Sequence, residues 1–99
     1  MEKFREEKIN KLIRKELSEI FLREFELPKD SLITVDKVEV DEKFKKASVY
    51  LSIFPEKAKK NLFPLLVKKI YFFQKELNRR LKIYSVPQII FIPSPTLKN

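Results

Sequence analysis

The chain of 99 residues contains no cysteine, no histidine and no glycine. Without a thiol or an imidazole it has no disulfide, no cysteine nucleophile, no histidine base and no ordinary zinc site, which excludes most hydrolase and metalloenzyme designs. Without glycine it cannot build a P-loop, a Rossmann fingerprint or a glycine-lined backbone cradle, so a bound phosphate must meet side chains and helix ends. It also lacks any apolar run near the roughly 20 residues needed to cross a bilayer, and its N-terminus is charged from the second residue. These absences predict a soluble, intracellular and uncleaved protein; alongside them we expect a cytoplasmic monomer that is not an enzyme, with no cofactor, no metal, no small-molecule substrate and no membrane partner.

Positive charge is abundant. Twenty-two Lys and Arg against fourteen Asp and Glu leave +8, a balance that favours polyanions, with nucleic acid ahead of an anionic membrane surface. A hydrophobic content of 43% suits one domain with one core.

The stretch Asn61 to Phe91 organises the rest. Leu62, Leu66, Ile70, Phe73, Leu77 and Leu81 recur at steps of three or four and line one side of a helix. Lys68, Lys75, Arg79 and Lys82 keep similar steps on roughly the opposite side. Such a stripe on a single helix is ordinarily a solvated face. With Asn61 as N-cap, Pro64 would lie in the tolerated first turn. The apolar phase slips between Leu66 and Ile70, and a straight rod would turn Lys69 and Arg80 towards the core. Burying those charges unpaired is unfavourable. The slip therefore predicts a bend between Lys69 and Phe73, made without glycine and locked by Tyr71, Phe72 and Phe73.

Upstream, residues 3–25 read as a helix with Ile9, Ile13, Leu17, Ile20 and Phe21 as its apolar stripe, ended by Pro28. Leu32 to Val40 reads as a strand with a bulge near Asp36, and Ala47 to Ile53 alternates cleanly as its antiparallel partner. A last strand, Gln88 to Ile92, follows Pro87. The order is α-β-β-α-(kink)-α-β. The helical crossover permits the last strand to join a mixed three-stranded sheet in parallel, with the helices on one face.

At this point the residues resemble a known family. KINKLIRKELSEIFLREF after Arg5, LITVDKVEV followed by ASVYLSIF, and KELNRRLKIYSVPQIIF are similar, in order and spacing, to bacterial ribosome-binding factor A. The resemblance implies an α+β, KH-like fold of the type II arrangement; the chain itself reads as one domain over 1–93 with a short flexible tail at 94–99, without the long charged tail of many family members. It implies a non-catalytic assembly factor that binds the small ribosomal subunit and its rRNA during late maturation. Some positions depart from the family pattern. Lys69, Ile70 and Tyr71 stand where an Ala-x-Gly interruption is usual, Gln74 and Tyr84 where arginine is common, and Lys43 and Pro93 where aspartate is.

With that resemblance, Lys75, Arg79 and Lys82 are the foremost candidates for RNA backbone contact, followed by Lys68 and Arg80. Lys43, Lys45 and Lys46 form a second basic cluster around Phe44, whose ring either stacks a base or folds back onto the sheet. Asp36, Glu39, Asp41 and Glu42 read as charge balance rather than as a magnesium site. Two other classes remain: a general single-stranded RNA or DNA binder on a KH-like fold, and a protein-interaction module using the outer sheet face.

Overall fold

The computed structural model describes residues 2–95. Its elements are α1 (Glu2–Arg23), β1 (Leu32–Val40), β2 (Lys46–Phe54), a 3-10 turn (Glu56–Ala58), α2 (Lys59–Lys68), α3 (Ile70–Arg80) and β3 (Gln88–Pro93). The sheet order is β1-β2-β3, with β1 antiparallel and β3 parallel to β2. All three helices cover one face, as the alternation in the strands requires. Ile33, Val35, Val38 and Val40 of β1, Ala47, Val49, Leu51 and Ile53 of β2, and Ile89 and Phe91 of β3 are buried with Ile13, Leu17, Ile20, Phe21, Leu62, Leu66, Phe73, Leu77 and Leu81.

The β1 bulge lies where the sequence placed it. Pairing slips between Val35 and Lys37, so Val35 and Val38, three residues apart, both face the helices. The extra residue, Asp36, points to the outer face, where it joins β1, β2 and the residue that follows β3. It accepts hydrogen bonds from Thr34 Oγ1 at 2.8 Å, from Ser94 Oγ at 2.6 Å and from Ser52 Oγ. Desolvation alone would raise its pKa, but the three hydroxyl bonds and the Arg14 charge outweigh it and hold the carboxyl below its ordinary value. Ser94 also donates its N–H to the Leu51 carbonyl at 2.8 Å. Positions 96–99 of the expected tail lie outside the described residues.

The helix pair breaks at Lys69, the first residue of the expected window. There φ is −98° and ψ 20°, and the N–H is shared among the carbonyls of Leu65, Leu66 and Val67. A regular helix has ψ near about −42°, so the axis is redirected at this one residue while the Lys69 side chain stays exposed. Two details differ from expectation. Asn61 is not a cap, because the 3-10 turn feeds α2 from Lys59; Pro64 is therefore inside the helix, and the Lys60 carbonyl loses its helical donor. Tyr71 takes no part in locking the corner, being 87% exposed; the buried ring is Phe73.

Side chains from the helices cap part of each outer edge of the sheet. On the β1 edge, Asn10 Oδ1 accepts from the Val40 N–H at 2.9 Å and Arg14 Nε donates to the Val35 carbonyl at 3.0 Å. On the β3 edge, Gln74 Oε1 accepts from the Ile89 N–H at 2.8 Å while its Nε2 donates to the Pro87 carbonyl at 3.1 Å.

Truncating Phe73 to Ala should lower stability by about 3–5 kcal/mol and Leu77 to Ala by about 2–5 kcal/mol, measured by urea unfolding. A carboxyl whose folded pKa is depressed stabilises the fold above its unfolded pKa, and that contribution disappears as pH falls through the folded value. Asp36→Asn should therefore cost about 0.5–1 kcal/mol at neutral pH, allowing for solvent screening. Its deficit relative to wild type should shrink as pH drops from about 5 to about 2.

Candidate nucleic-acid interface

The outer side of the broken helix pair carries Lys68 in the last turn of α2, and Lys75 and Arg79 on α3; Lys82 follows in the loop to β3. All four are exposed. Cations near a helix C-terminus are favoured by the macrodipole, which suits Arg79. Arg79 donates to Glu76 Oε1 at 2.7 Å, and this hydrogen bond together with the Glu76 charge raises its pKa.

Arg80 separates from this group. Its side chain is 20% exposed and turns towards α1, where Nη1 lies 3.2 Å from Glu16 and 3.6 Å from Glu19, and Nη2 pairs with Glu24. The guanidinium is consumed by three carboxylates and couples the end of α3 to α1. The break at Lys69 does not carry Arg80 away from the core side, as the expected bend was meant to do, and its nomination for RNA contact does not fit this geometry.

The second cluster lies in the β1–β2 turn. Asp41 Oδ1 accepts the N–H groups of Lys45 at 2.8 Å and Lys46 at 3.2 Å, and these backbone bonds depress its pKa. The Asp41 carbonyl accepts from the Phe44 N–H at 3.0 Å, with Phe44 at φ 57°. A left-handed conformation costs a bulky residue about 1–2 kcal/mol, and in this glycine-free chain Phe44 and Asp30 (φ 64°) both adopt it. The turn projects Lys43, Lys45 and Lys46 into solvent and folds Phe44 back against the core edge, where it is half-buried. The Arg5 guanidinium lies 5.3 Å from the Phe44 ring centroid.

Arg5, Lys43, Phe44 and Lys45 line a cleft of about 510 Å³ with Tyr84, Val86 and Pro87 of the α3–β3 loop and Gln88 at the start of β3. The fold thus brings the basic turn, the α1 N-terminal region and the loop carrying Lys82 to one end of the molecule. Among the described residues no ion pair holds Lys43, Lys45, Lys46, Lys68, Lys75 or Lys82.

The candidate carboxylates are occupied otherwise: Asp36 by hydroxyls, Asp41 by backbone N–H groups, and Glu39 by Tyr50 at 3.3 Å and Lys37 at 3.1 Å. Among the described residues no three of His, Cys, Asp or Glu converge on a point that could hold a metal ion, and no helix is long and apolar enough to cross a membrane. Sequence reasoning missed Arg5 and Tyr84 as parts of the cleft. Tyr84 carried a signal, an aromatic in a polar loop outside any apolar period; Arg5 carried none.

A mixed three-stranded sheet, helices on one face and a broken helix pair feeding a parallel last strand define a KH-like domain of the type II arrangement. The chain belongs to the ribosome-binding factor A family, whose profile it matches over residues 5–99. It is 34% identical to ribosome-binding factor A of Halothermothrix orenii over 100 aligned positions, covering 100% of this chain and 82% of that one. It is 36% identical to that of Clostridium botulinum strain Okra over 92, covering 91% and 77%. Among solved structures, the crystal structure of ribosome-binding factor A from Thermus thermophilus superposes with a TM-score of 0.75 at 20% identity, over 89% of this chain and 94% of that one. The solution structure of a Thermotoga maritima protein described as a ribosome-binding factor A superposes at 0.63 with 27% identity, over 97% and 89%. A Thermus thermophilus homology model of the factor, fitted into a cryo-electron microscopy map of its complex with the 30S subunit, superposes at 0.70 with 24% identity, over 83% and 87%.

Replacing Arg80 by Ala leaves three neighbouring carboxylates without their cation and should cost about 1–3 kcal/mol, less than a fully buried pair because the cluster is partly solvated. Lys75→Glu and Arg79→Glu should each change stability by less than about 1 kcal/mol. Chemical unfolding of the three variants checks the division.

Proposed function

We propose that this protein is a non-catalytic assembly factor that binds the small ribosomal subunit and its rRNA during late maturation, acting in the cytoplasm. The observation that carries the reading is the family match over residues 5–99, taken with the solvent-facing cations on the outer side of the helix pair and in the β1–β2 turn. Kinship with a factor fitted on the 30S subunit gives the partner its identity. Lys75, Arg79 and Lys82, then Lys68, would meet phosphates, with Lys43, Lys45 and Lys46 as a second set. Phosphate contacts of this kind supply affinity and orientation without reading sequence.

The outer sheet face gives less support to a protein-interaction module. Tyr50 and Phe54 do lie on it, but among Thr34, Asp36, Lys37, Glu39, Ser48 and Ser52, with Lys37, Glu39 and Tyr50 bonded to one another. An ordinary KH nucleic-acid binder clamps its ligand with a glycine-containing loop, which a chain without glycine does not possess.

Cosedimentation with purified small subunits is the direct test, with excess unrelated RNA as competitor. Binding should persist against the competitor and weaken steeply with salt; four to six phosphate contacts give a slope of log K against log salt of roughly −3 to −5. The Lys75→Glu/Arg79→Glu double variant should remain folded by circular dichroism and lose binding. Affinity that is flat between low and moderate salt, or a double variant that binds normally, would reject the electrostatic assignment.

A further inference from the structure

The cleft at the Arg5 end combines two kinds of group that phosphate contact alone does not call for. The first is aromatic surface. Tyr84 stands at the cleft with its side chain fully exposed. Phe44 lines the same cleft from a left-handed backbone position. A bulky residue adopts that conformation only where its surroundings impose it, and such outliers cluster at ligand sites. The Phe44 ring is half-buried against the core edge, and the surface it leaves uncovered faces the cleft. The second is charge arranged around those rings. Arg5 lies over Phe44, and Lys43 and Lys45 border the cleft without an ion pair among the described residues.

Aromatic surface beside cations matches a base beside its phosphate, and the volume of about 510 Å³ falls within the range of sites that enclose small ligands. A base within a double helix is already stacked on both faces and cannot enter. We propose that this cleft takes one unpaired nucleotide of single-stranded RNA, its base stacked on Tyr84 above Phe44 and its phosphate met by Arg5, Lys43 and Lys45. The inference deepens the rRNA-binding reading and rests on it for the identity of the strand.

The chain has no tryptophan, so Tyr84→Trp installs a single reporter at the cleft. Titration with a single-stranded adenosine hexaribonucleotide should quench its fluorescence, and an RNA duplex of equal length should not. In cosedimentation with small subunits, Tyr84→Ala and Phe44→Asn should each weaken binding roughly five- to hundredfold, the range expected for one base–aromatic stack. Neither removes a cation, so the salt slope should not change. Tyr84 packs against nothing that its loss would destabilise, which keeps the test readable if Phe44→Asn fails to fold. Equal quenching by the duplex, no quenching by the hexamer, or wild-type affinity in Tyr84→Ala overturns the nucleotide site. Salt-sensitive subunit binding alongside any of these results would leave the proposed function standing. Selective quenching by the hexamer in a protein that ignores small subunits would instead support the cleft and reject the ribosomal partner.

Discussion

The packing of Phe73 fixes what the rest of the molecule can do. Its ring is fully buried, with centroids 4.8 Å from Phe21, 5.1 Å from Phe25 and 5.3 Å from Phe91. One side chain thereby joins α1, the segment after it, α3 and β3, and it sets the rotation of α3 about its own axis. At about 100° per residue, Lys75 and Arg79 lie about 200° and 240° around from Phe73 and must face water, whereas Arg80 returns to within about 20° of it. Two adjacent arginines acquire opposite roles from that rotation: one faces outward, the other couples helices. The break at Lys69 lets the same sheet receive Leu62 and Leu66 from α2 without tilting Phe73 and Leu77 of α3 away from it.

The acidic residues show a related division. Glu16, Glu19 and Glu24 converge on Arg80, Asp36 gathers three hydroxyls, and Asp41 holds the turn backbone. These carboxylates keep their charge but are held by partners inside the chain, while the lysines of the helix pair and the β1–β2 turn extend into solvent without ion pairs among the described residues. With a formal charge of +8, that distribution steers a polyanion towards those two regions.

The architecture was largely legible in the sequence because it rests on periodicity. The alternation in Ala47–Ile53, the slip at Asp36 and the phase change after Leu66 are all patterns of apolar spacing, and each corresponds to an observed feature. The errors lie where spacing carries no information. Asn61 has the chemistry of a cap, but the 3-10 turn that starts the helix earlier leaves no apolar period to betray it. Tyr71 was grouped with its aromatic neighbours although its helical angle turns it outward. At the candidate site the basic residues were nominated by charge, which says nothing of pairing, so Arg80 was included with Lys75 and Arg79. The cleft was not legible because Arg5, Phe44 and Tyr84 belong to three separate segments. The left-handed turn that orients Phe44 also lacks the glycine that normally marks such a position.

The partly capped sheet edges bear on how this protein behaves in a crowded solution. An open edge is a row of unmet donors and acceptors that invites another strand and nucleates aggregation. Here an incoming strand would first have to displace Asn10 and Arg14 from β1, or Gln74 from β3. All three reach the sheet from helices packed over it, which links part of the resistance to strand recruitment to the placement of those helices. A half-sheet of this kind, bare on one broad face, can then remain dispersed while keeping its cations free for a polyanion.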